Sequence, residues 1–161
     1  MRSAPEFSYG VPSATEFAGK TGLELLRAII DGTLPQPPIA RTMSFWITEA
    51  TEGFAAFEGD PGDHLLNPMG SVHGGWALTL IDSAAGCSGL TLLPAGTGFA
   101  TIETKANLSR PITRDTGRVR AEARVVAQGR QIISAEARVT NKEGKVLAHG
   151  TSTLMILAGA K

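Results

Sequence analysis

Asp82 stands alone in an apolar segment. From Trp76 to Leu93 the chain is nearly continuous in Ala, Leu, Ile, Gly and other small residues, the composition of a helix buried on every side. The residues three and four positions from the acid are Leu78, Thr79, Ala85 and Gly86, so no basic group on the same helix can neutralise it. An unpaired buried carboxylate is costly, and its presence points to chemistry. Just upstream, Asn67-Pro-Met-Gly-Ser-Val-His-Gly-Gly75 reads as a loop entering the helix. Unbonded backbone N–H groups at such a helix start can receive an oxyanion.

The two features cannot serve one carbonyl within one chain. Gly74 and Asp82 are eight residues apart, roughly 12 Å along a helix, whereas a reacting group needs contacts of about 3 Å. Two copies with their helices antiparallel would bring Asp82 of one to the Gly74 N–H of the other. The expected site is composite, and symmetry gives two of them.

Other chemistries are poorly represented. His64, His73 and His149 fall on different elements, and no Cys/His/Asp cluster has ligand spacing, so no metal is expected. Gly70-Ser-Val-His-Gly-Gly75 lacks the Gly-Lys-Ser/Thr ending of a phosphate loop. Cys87, the single cysteine, lies inside the apolar helix and reads as a small buried hydrophobe.

The remaining elements must position Asp82. Residues 1–20 are expected to be loose or draped on the surface. Residues 21–31, with apolar side chains at 23, 26, 29 and 30, have helical spacing. Pro35, Pro37 and Pro38 should keep the next segment extended. Strands are expected over 41–49 and 53–58, followed by a loop from Gly59 to Gly75, the central helix, and breakers at 93–98. Four alternating segments follow at 99–109, 118–125, 132–140 and 146–156, which predicts a four-stranded antiparallel meander. Strict alternation puts Ile102, Thr104, Ala106 and Leu108 on one face, and Thr101, Glu103, Lys105 and Asn107 on the other. Arg118, Arg120, Arg124 and Arg138 are expected on the polar face, paired with Glu122 and Glu136.

An amphipathic sheet needs cover, and an apolar helix needs wrapping. The predicted class is α+β, a strongly curved antiparallel sheet around a long central helix, with an extra N-terminal helix. Residues 1–40 read as an extension and 41–158 as the main domain. Open sheet edges predict a homo-oligomer.

The chain has 161 residues, 15 basic and 15 acidic, with a pI near 6.8. That balance gives no electrostatic footprint for nucleic acid or an anionic membrane. The N-terminus lacks the apolar stretch of a signal peptide, and Asp82 interrupts the only long apolar run. A cytoplasmic protein is expected.

The spaced motif resembles that of the hotdog-fold acyl-CoA thioesterases of the phenylacetic-acid-degradation (PaaI-type) subgroup. Their pattern is an Asn, His-Gly-Gly six residues on, and an acid nine after the His, as in Asn67, His73-Gly74-Gly75 and Asp82. A later family strand carries a small hydroxyl residue and ends at Pro, as Thr101 and Pro111 do here. The likeness spans about residues 45–157, with Gln128-Gly129-Arg130 also similar, and leaves out the first forty.

The resemblance implies a hotdog fold and hydrolysis of an acyl-CoA, with CoA part of the substrate and no separate cofactor. Asp82 would be general base or nucleophile, and the partner subunit's Gly74 N–H would hold the oxyanion. Asn67 would orient the thioester or water, Thr101 would position the water, and His73 would shape the turn. Thr101 departs from the Ser often found there, which could alter rate or acyl preference. Arg110 and Arg130 become the candidate cations for the CoA phosphates, in a dimer or tetramer. A non-catalytic acyl-CoA binding module is the competing reading. A hydratase needs an Asp and a His closer together than the nine positions between His73 and Asp82.

Overall fold

The computed structural model describes residues 6–157. Residues 1–5, where a loose start is expected, and residues 158–161 lie outside the described part. The elements run α1 (Ala14–Ala18), α2 (Gly22–Ile30), α3 (Pro38–Thr42), β1 (Phe45–Thr51), β2 (Phe54–Gly59), α4 (Gly74–Leu90), β3 (Gly98–Leu108), β4 (Val119–Gln128), β5 (Ile132–Thr140) and β6 (Val146–Leu157). The six strands form one antiparallel sheet in the order β1-β2-β4-β5-β6-β3, and α4 packs on its concave face. This is the α+β arrangement the hydrophobic patterns require.

The four-stranded meander needs correction. β4, β5 and β6 do form one, but β3 crosses to the far edge and pairs with β6, while β2 takes the place beside β4. Alternation identifies a strand without naming its neighbour. The Ser109–Arg118 connection, with Pro111 and a 3₁₀ turn at Arg114–Thr116, is no hairpin turn. It leaves β3 free to lie at the edge.

Register shifts in β1 (Ile47/Glu49), β3 (Thr101/Glu103) and β4 (Val125/Ala127) bend the sheet around the helix. The shared core joins Leu80, Ile81, Ala84 and Ala85 of α4 to Ala121, Ile133, Val139 and Leu154 of the sheet. On the outer face Arg120 pairs with Glu49 and Glu122, and Arg138 with Glu122. Two arginines depart from the expected pairing. Arg118 bonds Asp60 in a two-pronged contact, and Arg124 lies over the Phe54 ring, 4.5 Å from its centre. Flat ring faces close to the strand compete well for a guanidinium.

The N-terminal segment is more structured than its composition suggests. Ser13 and Glu16 form a capping box at α1, and Thr21 and Glu24 form another at α2. Pro38 begins α3 rather than continuing an extended run, because a missing N–H is harmless in a first helical turn. Leu25, Leu26, Ala28 and Ile29 of α2 are buried in the same core as α4. Gly22 lets α2 cross the end of α4 at contact distance: a Cβ there would overlap the Leu90 carbonyl oxygen.

Candidate active site

The start of α4 is built to leave one donor unused. His73 is the N-cap, and its Nδ1 accepts from the Gly75 N–H at 2.9 Å. The Trp76 N–H is taken by the His73 carbonyl. The Gly74 N–H donates to no acceptor among the described residues. It therefore stands at the positive end of a 17-residue helix with a free hydrogen. The His73 ring, accepting through Nδ1, is the tautomer with hydrogen on Nε2. A Cβ at Gly74 would lie 2.5 Å from Leu108 Cδ1, the end of an exposed side chain that can swing aside.

Asn67 shapes the loop that delivers this turn. Its Oδ1 accepts from the Met69 and Ser71 N–H groups, and its Nδ2 donates to Ser71 Oγ. Asn67, His73, Gly74 and Arg110 line one cavity of about 250 Å³ with Ala77, Leu108 and Leu147. The Arg110 guanidinium donates to the Val146 carbonyl at 2.6 Å and also borders a wider cavity carrying Lys142 and Lys145. Arg130 is exposed in the β4–β5 turn, away from both.

Asp82 opens into a different cavity, lined by Leu78, Thr79, Thr101, Ile102, Glu103 and Thr104. The acid is half-buried rather than enclosed, because α4 is not covered on every side. Gly75, Leu78, Thr79, Asp82 and Ser83 form a partly open stripe alongside the edge strand β3. Three of those five residues are polar, Thr79, Asp82 and Ser83, and their helical spacing marks the open side of an otherwise apolar run.

The bulge in β3 brings the Thr104 hydroxyl to Asp82 and Thr101 into the same cavity. Thr101 is paired with the buried Leu154 and Thr104 with the buried Ser152, so both face the helix although they are three positions apart. Strict alternation had separated them, and the extra residue at the bulge explains the difference. Thr104 Oγ1 donates to Asp82 Oδ1 at 3.0 Å and lies 2.8 Å from Ser152 Oγ. Thr104 and Ser152 were not legible as site residues, since bulges carry no reliable local signature. Thr79 and Ser83, the hydroxyl neighbours of Asp82 on its own helix, do not satisfy it; the Thr79 hydroxyl donates to the Gly75 carbonyl instead.

Cys87 stands one turn beyond Asp82. Apolar surroundings, with a smaller push from the Asp82 carboxylate, raise its thiol to about 12. It is packed against the core and is no nucleophile near neutrality.

A single helix laid in a curved six-stranded antiparallel sheet, with a motif-bearing loop at its N-terminus, defines the hotdog class. Residues 69–148 match the thioesterase superfamily. The chain is thus a hotdog protein with a thioesterase-superfamily domain. A phenylacetic acid degradation-related protein from Ralstonia eutropha JMP134 superposes with a TM-score of 0.73 at 25% identity, over 81% of this chain and 98% of that one. A thioesterase family protein from Silicibacter pomeroyi is 28% identical over 76% of this chain and 90% of its own, with a TM-score of 0.70. The PaaI protein of the E. coli phenylacetic acid degradation operon shares the fold at 24% identity and a TM-score of 0.69, over 76% and 86% of the two chains. No curated protein sequence matched. Fold and family together support thioester hydrolysis as the reaction class. No helix among the described residues is long and apolar enough to cross a membrane.

Proposed function

We propose that the protein hydrolyses an acyl-CoA to free CoA and a carboxylic acid, at a site completed by a second copy of the chain. The observation that carries this reading is the division of labour along α4. A free N–H at Gly74 and a half-open carboxylate at Asp82 face two different cavities of one protomer. The open stripe of α4 and the edge strand β3, with Ile102 and Leu108 exposed at 54% and 57%, offer the surface for the second copy. Edge pairing there sets one Asp82 against the other subunit's Gly74.

In that site Asp82 takes a proton from water held beside the Thr101 hydroxyl. The hydroxide adds to the thioester carbonyl, and the new oxyanion rests on the partner subunit's Gly74 N–H and the positive helix end. Collapse breaks the carbon–sulfur bond. Asp82 then returns its proton to the departing CoA thiolate. Asn67 and His73 hold the turn that presents the donor, and Arg110 and Arg130 are the cations proposed for the CoA phosphates.

The test is an acyl-CoA panel, short, medium and aromatic, read by free-thiol release. Turnover of at least one member supports the proposal. A tight complex in calorimetry, with the thioester intact after hours, would instead favour the acyl-CoA binding module.

A further inference from the structure

Ser152 is a polar group in the wrong company. It is 1% exposed, between the buried Ala135 of β5 and the edge strand, on the face of β6 that meets the helix. A buried hydroxyl without partners is costly. Ser152 has two: Thr104 Oγ1 at 2.8 Å and the Glu103 carbonyl at 3.1 Å. The bulge supplies both, by leaving Ile102 unpaired and so shifting the register that sets Glu103 and Thr104 beside Thr153 and Ser152.

Counting hydrogens on this chain of groups gives a definite result. When Asp82 is ionised it can only accept, so the one Thr104 hydrogen is committed to Oδ1. The Thr104–Ser152 contact must then be made by the Ser152 hydrogen. When Oδ2 takes a proton, Oδ1 remains an acceptor and the Thr104 hydrogen stays on it. The bonds from Thr104 to Asp82 and from Ser152 to Thr104 are therefore the same in both protonation states, without moving a heavy atom. Oδ2 has no partner among the described residues in either case.

We infer that Thr104 and Ser152 are positioning residues for Asp82, a hydroxyl pair that fixes Oδ1 in both protonation states and leaves Oδ2 to work on water. This inference rests on the proposed hydrolysis, in which Asp82 gains and loses a proton in each turnover. The base is then held still while its charge changes, and no reorganisation accompanies proton transfer.

The experiment compares wild type with Thr104→Val, Thr104→Ser, Ser152→Ala and the Thr104→Val/Ser152→Ala double variant. Valine keeps the shape and removes the hydroxyl. It should lower kcat by about tenfold with KM unchanged. Serine, which restores the hydroxyl, should recover most of the rate. Ser152→Ala should cost less alone, and nothing further in the valine background. Equal losses in the valine and serine variants, a change confined to KM, or additive losses would each overturn the inference.

A second readout needs no turnover. The buried Ser152 hydroxyl hydrogen should exchange slowly enough to be seen by proton NMR in the wild type, and its resonance should shift in Thr104→Val. Absence of both effects overturns the pairing itself. An inactive wild type that keeps this resonance and its shift would refute the hydrolysis alone.

Discussion

Asp82 and Gly74 stand on the same helix yet open into separate cavities, one against β3 and the other against the loop before α4. If two copies complete each site, the acid and the donor can be disabled in different subunits. Asp82→Asn should lower kcat by about 10²–10⁴-fold, the usual loss for a positioned base. Gly74→Pro removes the donor itself. Proline suits a first helical position, and His73 (φ −60, ψ 132) already has the backbone that precedes proline. Its Cβ meets only the end of the exposed Leu108 side chain. Each variant alone should be nearly inactive. Co-expressed in equal amounts they should regain about one quarter of wild-type activity, because half the dimers are mixed and each mixed dimer has one intact site. No recovery in isolated mixed dimers would refute the shared site.

Arg110 and Arg130 should separate carrier recognition from chemistry. Alanine at either position should raise KM for an acyl-CoA several-fold and weaken its dependence on salt, as expected for a lost phosphate contact. Hydrolysis of the same acyl group on N-acetylcysteamine, which has no phosphate, should not change. An equal effect on both substrates would place these arginines in the folding of the rim, for which the Arg110 bond to Val146 provides a route.

The Cys87 thiol should be silent until high pH. Burial, and to a lesser degree the Asp82 carboxylate, raises it from 9.0 to about 12. Between those values the unfolded chain loses a proton that the folded chain keeps, so stability falls as pH rises through that window. Below it the thiol is neutral in both states and contributes no slope. Chemical unfolding at pH 8 to 11 should show a steeper decline for wild type than for Cys87→Ala. Rapid labelling of the native protein by a thiol reagent at pH 8 would contradict the assignment.

Gly22→Ala should unfold the protein more easily. The added carbon meets the Leu90 carbonyl, a backbone atom that cannot swing aside. A loss above about 2 kcal/mol is expected, in line with overpacking of a tight crossing, and denaturant titration would measure it. A neutral substitution would mean that α2 does not hold its place on α4.

Much of this fold is legible because its patterns are long. The apolar run of α4 and the alternation of β4, β5 and β6 each extend over nine or more residues, and α4 carries its motif at the start. What escaped was order and detail. The place of β3 depends on which edge accepts it, a choice no local pattern records. The bulge at Thr101/Glu103 defeats counting by twos, so Thr101 fell on the wrong face and Thr104 was never connected to Asp82. Ser152 is 70 positions beyond Asp82 in the chain, and only the folded sheet makes them neighbours. The helix α1, by contrast, was announced by the Ser13 and Glu16 pair and overlooked because it is short.

The place of α2 bears on any attempt to trim the protein to a minimal domain. Leu25, Leu26 and Ile29 are not ornament on a finished globule; they belong to the shared core, on a helix that packs on β1 and meets the far end of the central helix through Gly22, where Leu90 and Leu93 are hidden. A polypeptide shortened to begin at Arg41 would lay those side chains bare to water. Its first difficulty would be clumping in solution, well before any question of catalysis arose.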